Sequence, residues 1–260
     1  MKIAVAITDA RMEEVYRILS VCCDAVALRR SEDYTEGYDL DALVLPVKGI
    51  TDEGNLIYQK QMVNIPMTFW HSLSSSCQIF CGMKQRFLEH LSRTVHYYME
   101  DEELLKKNAV LTAEGCLFLL IDNTPCSIRC LTVDIIGYGR CGREIHSWLD
   151  ALGVSCRIVR RIKQSDENAV ISVEQWRQVE PADVIINTSI QPIMDAACMD
   201  QWIKKPLIID IATPDVVDST HALQKGIRFI KAGNLPSLIA YQSAGGLIAQ
   251  YVKEKMKHER

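Results

Sequence analysis

The chain has no apolar stretch long enough to cross a bilayer, which takes about twenty residues. It has no Lys/Arg-rich block, and with a net charge of −4 nucleic acid is not an expected partner. The opening run Lys2–Ile7 is too short for a signal-peptide core and has no cleavage-site pattern behind it, so a cytoplasmic protein is expected. Sequence repeats and low-complexity tracts are absent. No paired-histidine motif accompanies the Cys77/Cys81 and Cys126/Cys130 spacings, which argues against a structural metal. Without a secretory signal the ten cysteines do not read as a disulfide framework. Most stand in apolar runs, where a free thiol behaves as a small buried hydrophobe. A serine nucleophile elbow and a phosphate loop ending in Lys are also missing.

What is present is an ordinary globular composition, 48% hydrophobic and 24% charged, over 260 residues, enough for two modest domains. Short apolar runs at Lys2–Ile7, Ala25–Leu28, Ala42–Leu45, Ile65–Trp70, Gln78–Cys81 and Val95–Tyr98 form a first series of strand candidates. Helical patterns lie at Arg11–Ser20, with Met12, Val15, Ile18 and Leu19 on one face, and at Met83–Leu91. Between the second and third runs, Arg30–Gly37 reads as a polar loop. Thr112–Asp122 is apolar on nearly every side, as expected of a helix buried between two bodies, with Thr112 as its cap. Asn123-Thr124-Pro125 then breaks it. A second strand series follows at Leu131–Ile136, Cys156–Val159, Val184–Asn187, Leu207–Asp210 and Arg228–Lys231, with helix-length connections. Alternating strands and helices predict an α/β fold of two Rossmann-like, doubly wound parallel-sheet domains. The expected division is 1–111, then 112–239 with its leading linker helix, then a closing helix over 240–260. That last helix either packs back on the first domain, the use expected here, or completes the second; the charged stretch Lys253–Arg260 is expected in solvent.

The central motif is the strand Leu131–Ile136 running into Gly137-Tyr138-Gly139-Arg140-Cys141-Gly142 and then a helix with Ile145, Trp148, Leu149 and Leu152 on one stripe. Three glycines at this spacing, between strand and helix, are the dinucleotide fingerprint. Gly137 makes the tight turn, Gly139 admits a diphosphate to the backbone, and Gly142 lets helix and strand pack closely. The diphosphate would rest on the helix N-terminus, where unpaired N–H groups and the dipole favour an anion. Arg140 is a candidate bidentate donor to a diphosphate oxygen, and Cys141 completes the turn.

An NAD site usually carries a carboxylate about twenty residues past the glycines, whereas an Arg there suits a 2′-phosphate. Here the second strand ends in Arg160-Arg161, and Asp166 and Glu167 come only later. NADP is therefore expected, with NAD as the alternative. Ligands of open α/β sheets bind beyond the carboxyl ends of the strands, so Asn187, Thr188, Ala212 and Thr213 fall where nicotinamide and substrate meet. None of His71, His90, His96, His146, His221 and His258 falls at a strand end of that domain, and no catalytic residue is assigned. The chemistry expected is one a nicotinamide performs with little acid–base help.

The fingerprint, the Thr112-Ala113-Glu114-Gly115 segment, the closing Gly233-Asn234-Leu235-Pro236 and Ser243-Ala244-Gly245, and the early Asp9-Ala10-Arg11 and Leu45-Pro46-Val47 carry a likeness over most of the chain. Together they resemble the dipicolinate synthase family, in its A-type, nucleotide-binding component. The resemblance implies an architecture similar to formate/glycerate dehydrogenases and a second, flavoprotein-like subunit. It also implies NADP-dependent oxidation of a dihydrodipicolinate-type intermediate to pyridine-2,6-dicarboxylate, the aromatic diacid of bacterial spores. A homo-oligomer is expected. A small dianionic substrate wants cations or N–H donors, for which Arg11 and Lys48, with Ser243 at the start of the last helix, are the candidates. Two segments depart from the family. Where it carries Arg-Pro-Gly-Gly, Thr213 runs into Pro214-Asp215; where it carries Ala-Pro-Lys-Thr-Ala-Gly, this chain reads Ala240-Tyr241-Gln242-Ser243-Ala244-Gly245. Losing one charged contact to a carboxylate costs about 1.5–3 kcal/mol, or roughly ten- to a hundredfold in affinity. The alternatives are another two-domain NAD(P) dehydrogenase and a non-catalytic nucleotide-binding partner subunit.

Overall fold

A computed structural model describes residues 1–35, 39–58, 61–161 and 170–258. The chain divides into two units, one of residues 1–108 with 240–260 and one of 109–239.

In the first unit, β1 (Lys2–Ala6) is buried on both faces: Ala4 and Ala6 enter one core and Ile3 and Val5 the other. A strand apolar on both sides is what a parallel sheet covered twice demands. Helix α1 (Ala10–Ser20) begins at Asp9, whose carboxylate accepts the Met12 N–H at 3.0 Å. Then come β2 (Asp24–Leu28), β3 (Ala42–Val44), a hairpin of β4 (Leu56–Tyr58) and β5 (Gln61–Val63), α2 (Met67–Ser72), β6 (Gln78–Cys81), α3 (Arg86–Glu89) and β7 (Val95–Tyr97). The main sheet is parallel, in the order β2-β1-β3-β6-β7. With the hairpin set aside this is the 2-1-3-4-5 order of flavodoxin-like sheets, which switches direction between β1 and β3.

Three expectations need correction here. Ile65–Trp70 is not strand: Pro66 precedes the first turn of α2, where its missing N–H costs nothing, and Phe69 and Trp70 fill the core. Met83–Leu91 yields only the single turn of α3. Helix α4 (Glu102–Asp122) starts well before Thr112, at the Asp101 carboxylate that accepts the Leu104 N–H at 2.9 Å. Thr112 is a buried residue in mid-helix, not a cap.

The second unit holds β8 (Thr132–Ile136), α5 (Arg140–Ala151), β9 (Ser155–Arg160), β10 (Val170–Ser172), α6 (Val173–Trp176), β11 (Val184–Asn187), α7 (Ala196–Met199), β12 (Leu207–Asp210), α8 (Ser219–Gln224), β13 (Arg228–Lys231) and α9 (Leu235–Ile239). Its sheet is parallel throughout, in the order β10-β9-β8-β11-β12-β13. Counted within the unit, that is 3-2-1-4-5-6, the doubly wound dinucleotide order, with its switch point between β8 and β11. Several expected helix-length connections contain only one helical turn, started by Ser172 and Asp195 as side-chain caps. Strand β10 has no counterpart among the sequence expectations.

The last helix, α10 (Tyr241–His258), lies in the first unit, with Ile248, Ala249, Val252 and Met256 in one core with Met12, Val15 and Leu19 of α1. Among the described residues no helix is long and apolar enough to cross a membrane, and no group of three metal-ligating side chains occurs.

Candidate functional site

Each fingerprint glycine of the second unit has a distinct steric reason. Gly137 has a φ of +91°, and a Cβ there would stand 2.7 Å from Thr188 Oγ1. At Gly142 a Cβ would come 2.4 Å from the carbonyl oxygen of Gly137, so the helix seats directly on the turn. Gly139 differs: a Cβ there would meet nothing within 4 Å. No part of the protein needs that position bare, which is what a backbone reserved for an incoming ligand looks like. Gly139 is also the N-cap of α5 and offers no side chain to the first-turn N–H groups. The residues therefore fit a dinucleotide diphosphate.

Beside this turn lies a cleft of about 540 Å³ lined by Gly137, Tyr138, Gly139, Arg160, Arg161 and Thr188, with Val159, Val173, Ser189, Ile190, Gln191 and Ile193. Arg160 closes β9 and Arg161 follows it, so both cations stand where a nucleotide ribose is recognised. The later acidic pair, Asp166 and Glu167, lies outside the described residues. Arg140 is exposed at the first position of α5. Cys141 turns its thiol inward, where burial pushes its pKa up while a hydrogen bond with Thr112 pulls the other way. The thiol is half-buried, and the buried Thr112 gains a partner in place of the expected capping role.

The register aligns Ile136, Asn187, Asp210 and Lys231 across the carboxyl edge of four adjacent strands. Asn187 is 1% exposed and spends its carboxamide on Asp210 Oδ1, at 2.8 Å, and on the Ser189 carbonyl, at 3.2 Å. It braces the loop rather than presenting a side chain to the cleft. Thr188 donates its hydroxyl to the Ile136 carbonyl at 3.0 Å and lines the cleft beside Gly137. Ala212 is buried, with its N–H on Asp210 Oδ1 at 3.1 Å, while Thr213 is exposed. Lys231, which sequence pattern alone does not single out, joins Asp210 at 2.8 Å and Asp215 at 2.7 Å. Burial draws its pKa down, but these two carboxylates more than offset that and hold the ammonium above its usual value. The available signal was a lysine closing the strand candidate Arg228–Lys231 at its carboxyl end. Ser189 and Gln191 were within reach too, since they follow directly on Asn187-Thr188.

In the first unit Arg11 and Lys48 lie beyond the carboxyl ends of neighbouring strands β1 and β3, at that sheet's switch point. Arg11 is only 5% exposed, donates to Asp9 Oδ2 at 2.8 Å, and leaves its Nε unpartnered. Its charge is thus already shared with the carboxylate that caps α1. Lys48 is exposed in the turn that ends at Gly49. Ser243 is exposed in the first turn of α10, just before the point where that helix crosses α1.

These features define a class before any closer relation. The fold is that of two-domain, dehydrogenase-like proteins with a dinucleotide-type second unit. A D-lactate dehydrogenase from Treponema pallidum superposes with a TM-score of 0.58 at 11% identity, covering 97% of this chain and 95% of that one. An NADPH-dependent glyoxylate/hydroxypyruvate reductase from Sinorhizobium meliloti, solved with NADP and malonate, does so with a TM-score of 0.54 at 15% identity, covering 97% and 92%.

Within that class the chain is similar to the A-type component of dipicolinate synthase. The Bacillus subtilis (strain 168) protein is 25% identical over 282 residues, covering 98% of this chain and 95% of that relative. The crystal structure of the Bacillus halodurans protein shares the fold with a TM-score of 0.82 at 23% identity, covering 97% of each chain. The resemblance drawn from the sequence motifs is borne out along nearly the whole chain. No protein-family model matches it.

Proposed function

We propose that the protein is an NADP-dependent oxidoreductase that converts a dihydrodipicolinate-type intermediate to pyridine-2,6-dicarboxylate. The observation that carries this reading is the bare backbone at Gly139, beside a cleft that Arg160 and Arg161 line. The likeness to dipicolinate synthase supplies the substrate class.

When bound, the nicotinamide coenzyme accepts the hydride. The chain's own part is to hold and orient. First-turn N–H groups of α5, with Arg140, receive the diphosphate, and Arg160 and Arg161 receive the 2′-phosphate. Thr188, Ala212 and Thr213 stand at the carboxyl edge that the nicotinamide end occupies, and Asn187 braces that edge through Asp210. Lys48 and Ser243 are the exposed donors for substrate carboxylates, and Arg11, buried against Asp9, adds its charge behind them. Oxidising a dihydropyridine gains aromaticity, so the proton needs no strong general base of the kind an alcohol requires. A cytoplasmic setting, self-association and a flavoprotein-like second subunit belong to the same reading.

Purified protein mixed with dihydrodipicolinate-generating enzymes and NADP+ is expected to form NADPH and pyridine dicarboxylate together, followed by absorbance. A second reading, a nucleotide-binding partner without turnover, is favoured by Thr213 and Gln242 standing where the family carries cations. It predicts coenzyme binding, no turnover, and a change of affinity for a protein partner. Turnover of a different acid with NADPH in a substrate screen would point to another two-domain dehydrogenase.

A further inference from the structure

The turn between β8 and α5 carries a side chain that the dinucleotide fingerprint leaves unspecified. Tyr138 stands between the first two glycines and lines the cleft beside Arg160. Its carbonyl accepts a hydrogen bond from Arg143 Nε at 3.2 Å. Its hydroxyl stands 3.1 Å from Nδ1 of His146, and the two rings meet edge to face at 5.7 Å. Arg143 and His146 both belong to α5, so this tyrosine is tied to one rigid helix at its backbone and at its tip. The ring face is what it has left to offer.

Over that ring lies the guanidinium carbon of Arg160, 5.4 Å from the centroid. A cation within about 6 Å of an aromatic centroid is attracted by the negative face of the ring. Arg160 closes the strand whose end meets the adenosine ribose in this sheet order. A long cationic side chain ordered before its ligand arrives has less rotamer freedom to lose on binding. We propose that Tyr138 is the specificity-determining platform of the nucleotide site, holding Arg160 where a 2′-phosphate binds and so setting the preference for NADP over NAD. Tyr138 acts through Arg160 and is a positioning residue. The inference rests on the dinucleotide reading given above.

Equilibrium titration of NADP+ and NAD+ against the wild type, Tyr138→Leu and Tyr138→Phe tests it. The wild type is expected to prefer NADP+. Tyr138→Leu should weaken NADP+ binding roughly three- to thirtyfold while NAD+ stays within about twofold. Tyr138→Phe keeps the ring face and loses only the contact with His146, so it should retain most of the preference. Equal weakening of both coenzymes would make Tyr138 a mere shaper of the glycine turn and overturn the proposal. So would an unchanged ratio in Tyr138→Leu, or damage in Tyr138→Phe equal to that in Tyr138→Leu. A wild type that binds both coenzymes equally overturns the platform and leaves the dinucleotide reading standing, whereas one that binds neither takes both down.

Discussion

Two glycines of one turn, three residues apart, should fail in opposite ways. A methyl at Gly142 would press on the Gly137 carbonyl at 2.4 Å, and that backbone cannot yield cheaply. Gly142→Ala is expected to cost about 1–3 kcal/mol of stability, read by urea unfolding. A methyl at Gly139 meets open space. Gly139→Ala should unfold like the wild type yet bind coenzyme at least about tenfold more weakly, or about 1.4 kcal/mol, by calorimetry. Asp183 sits at the other end of the sheet, where burial favours its neutral form. Lys204, at 2.7 Å, and the N–H and hydroxyl of Thr132, each at 2.7 Å, win and hold its pKa at about 2. A depressed carboxylate stabilises the fold above its unfolded pKa of about 4 and loses that contribution as the pH falls toward 2. Unfolding curves at pH 5 and pH 2 should differ less for Asp183→Asn than for the wild type, by about 1 kcal/mol after allowance for solvent screening.

At the scale of elements, α1 and α10 come close together at Gly245, where a Cβ would stand 2.6 Å from the Arg11 carbonyl and 2.7 Å from the Glu14 Cβ. Small residues let helix backbones approach, and the close seam is what buries Val15, Leu19, Ile248 and Val252. Gly245→Val is expected to force the helices apart and cost about 2–3 kcal/mol or more, with a matching fall in melting temperature. The same scale shows how legible the elements are. Strands β8, β11 and β12 stand out as short, largely apolar, β-branched runs, and α5 as a stripe following a glycine turn. The start of helix α4 is hidden because Leu104 to Leu111 mixes Lys and Asn into the pattern. Its true signal is Asp101 ahead of Glu102 and Glu103, an acidic first turn behind a capping side chain. The hairpin β4–β5 escapes notice because three-residue strands leave too little alternation to count.

Across the whole molecule, the end of the chain completes the core at its beginning. Ile248, Ala249, Val252 and Met256 share a cluster with Ile3, Val5 and Leu19. A chain ended after Ile239 is expected to leave that face of the first unit bare. It should bind a hydrophobic dye and lose the first unit's share of the near-ultraviolet dichroism while keeping much of its secondary structure. A truncated chain with native near-ultraviolet dichroism and no dye binding would show that α10 is dispensable.

The amino-acid sequence determined what is local: the beat of strands and helices, the glycine turn with its three separate steric duties, and the pair of arginines at the end of β9. Each depends on residues a few positions apart, where periodicity, φ preference and side-chain size decide the outcome. Tertiary structure alone decided the two sheet orders, the return of α10 to the first unit, and the row Ile136, Asn187, Asp210 and Lys231. It also buried Arg11, a candidate donor to substrate carboxylates, against Asp9, and gave Asn187 to Asp210. These outcomes join residues far apart in the chain. Which strands pair, and in what register, follows from packing the whole apolar surface at once, and no short window of sequence contains that information.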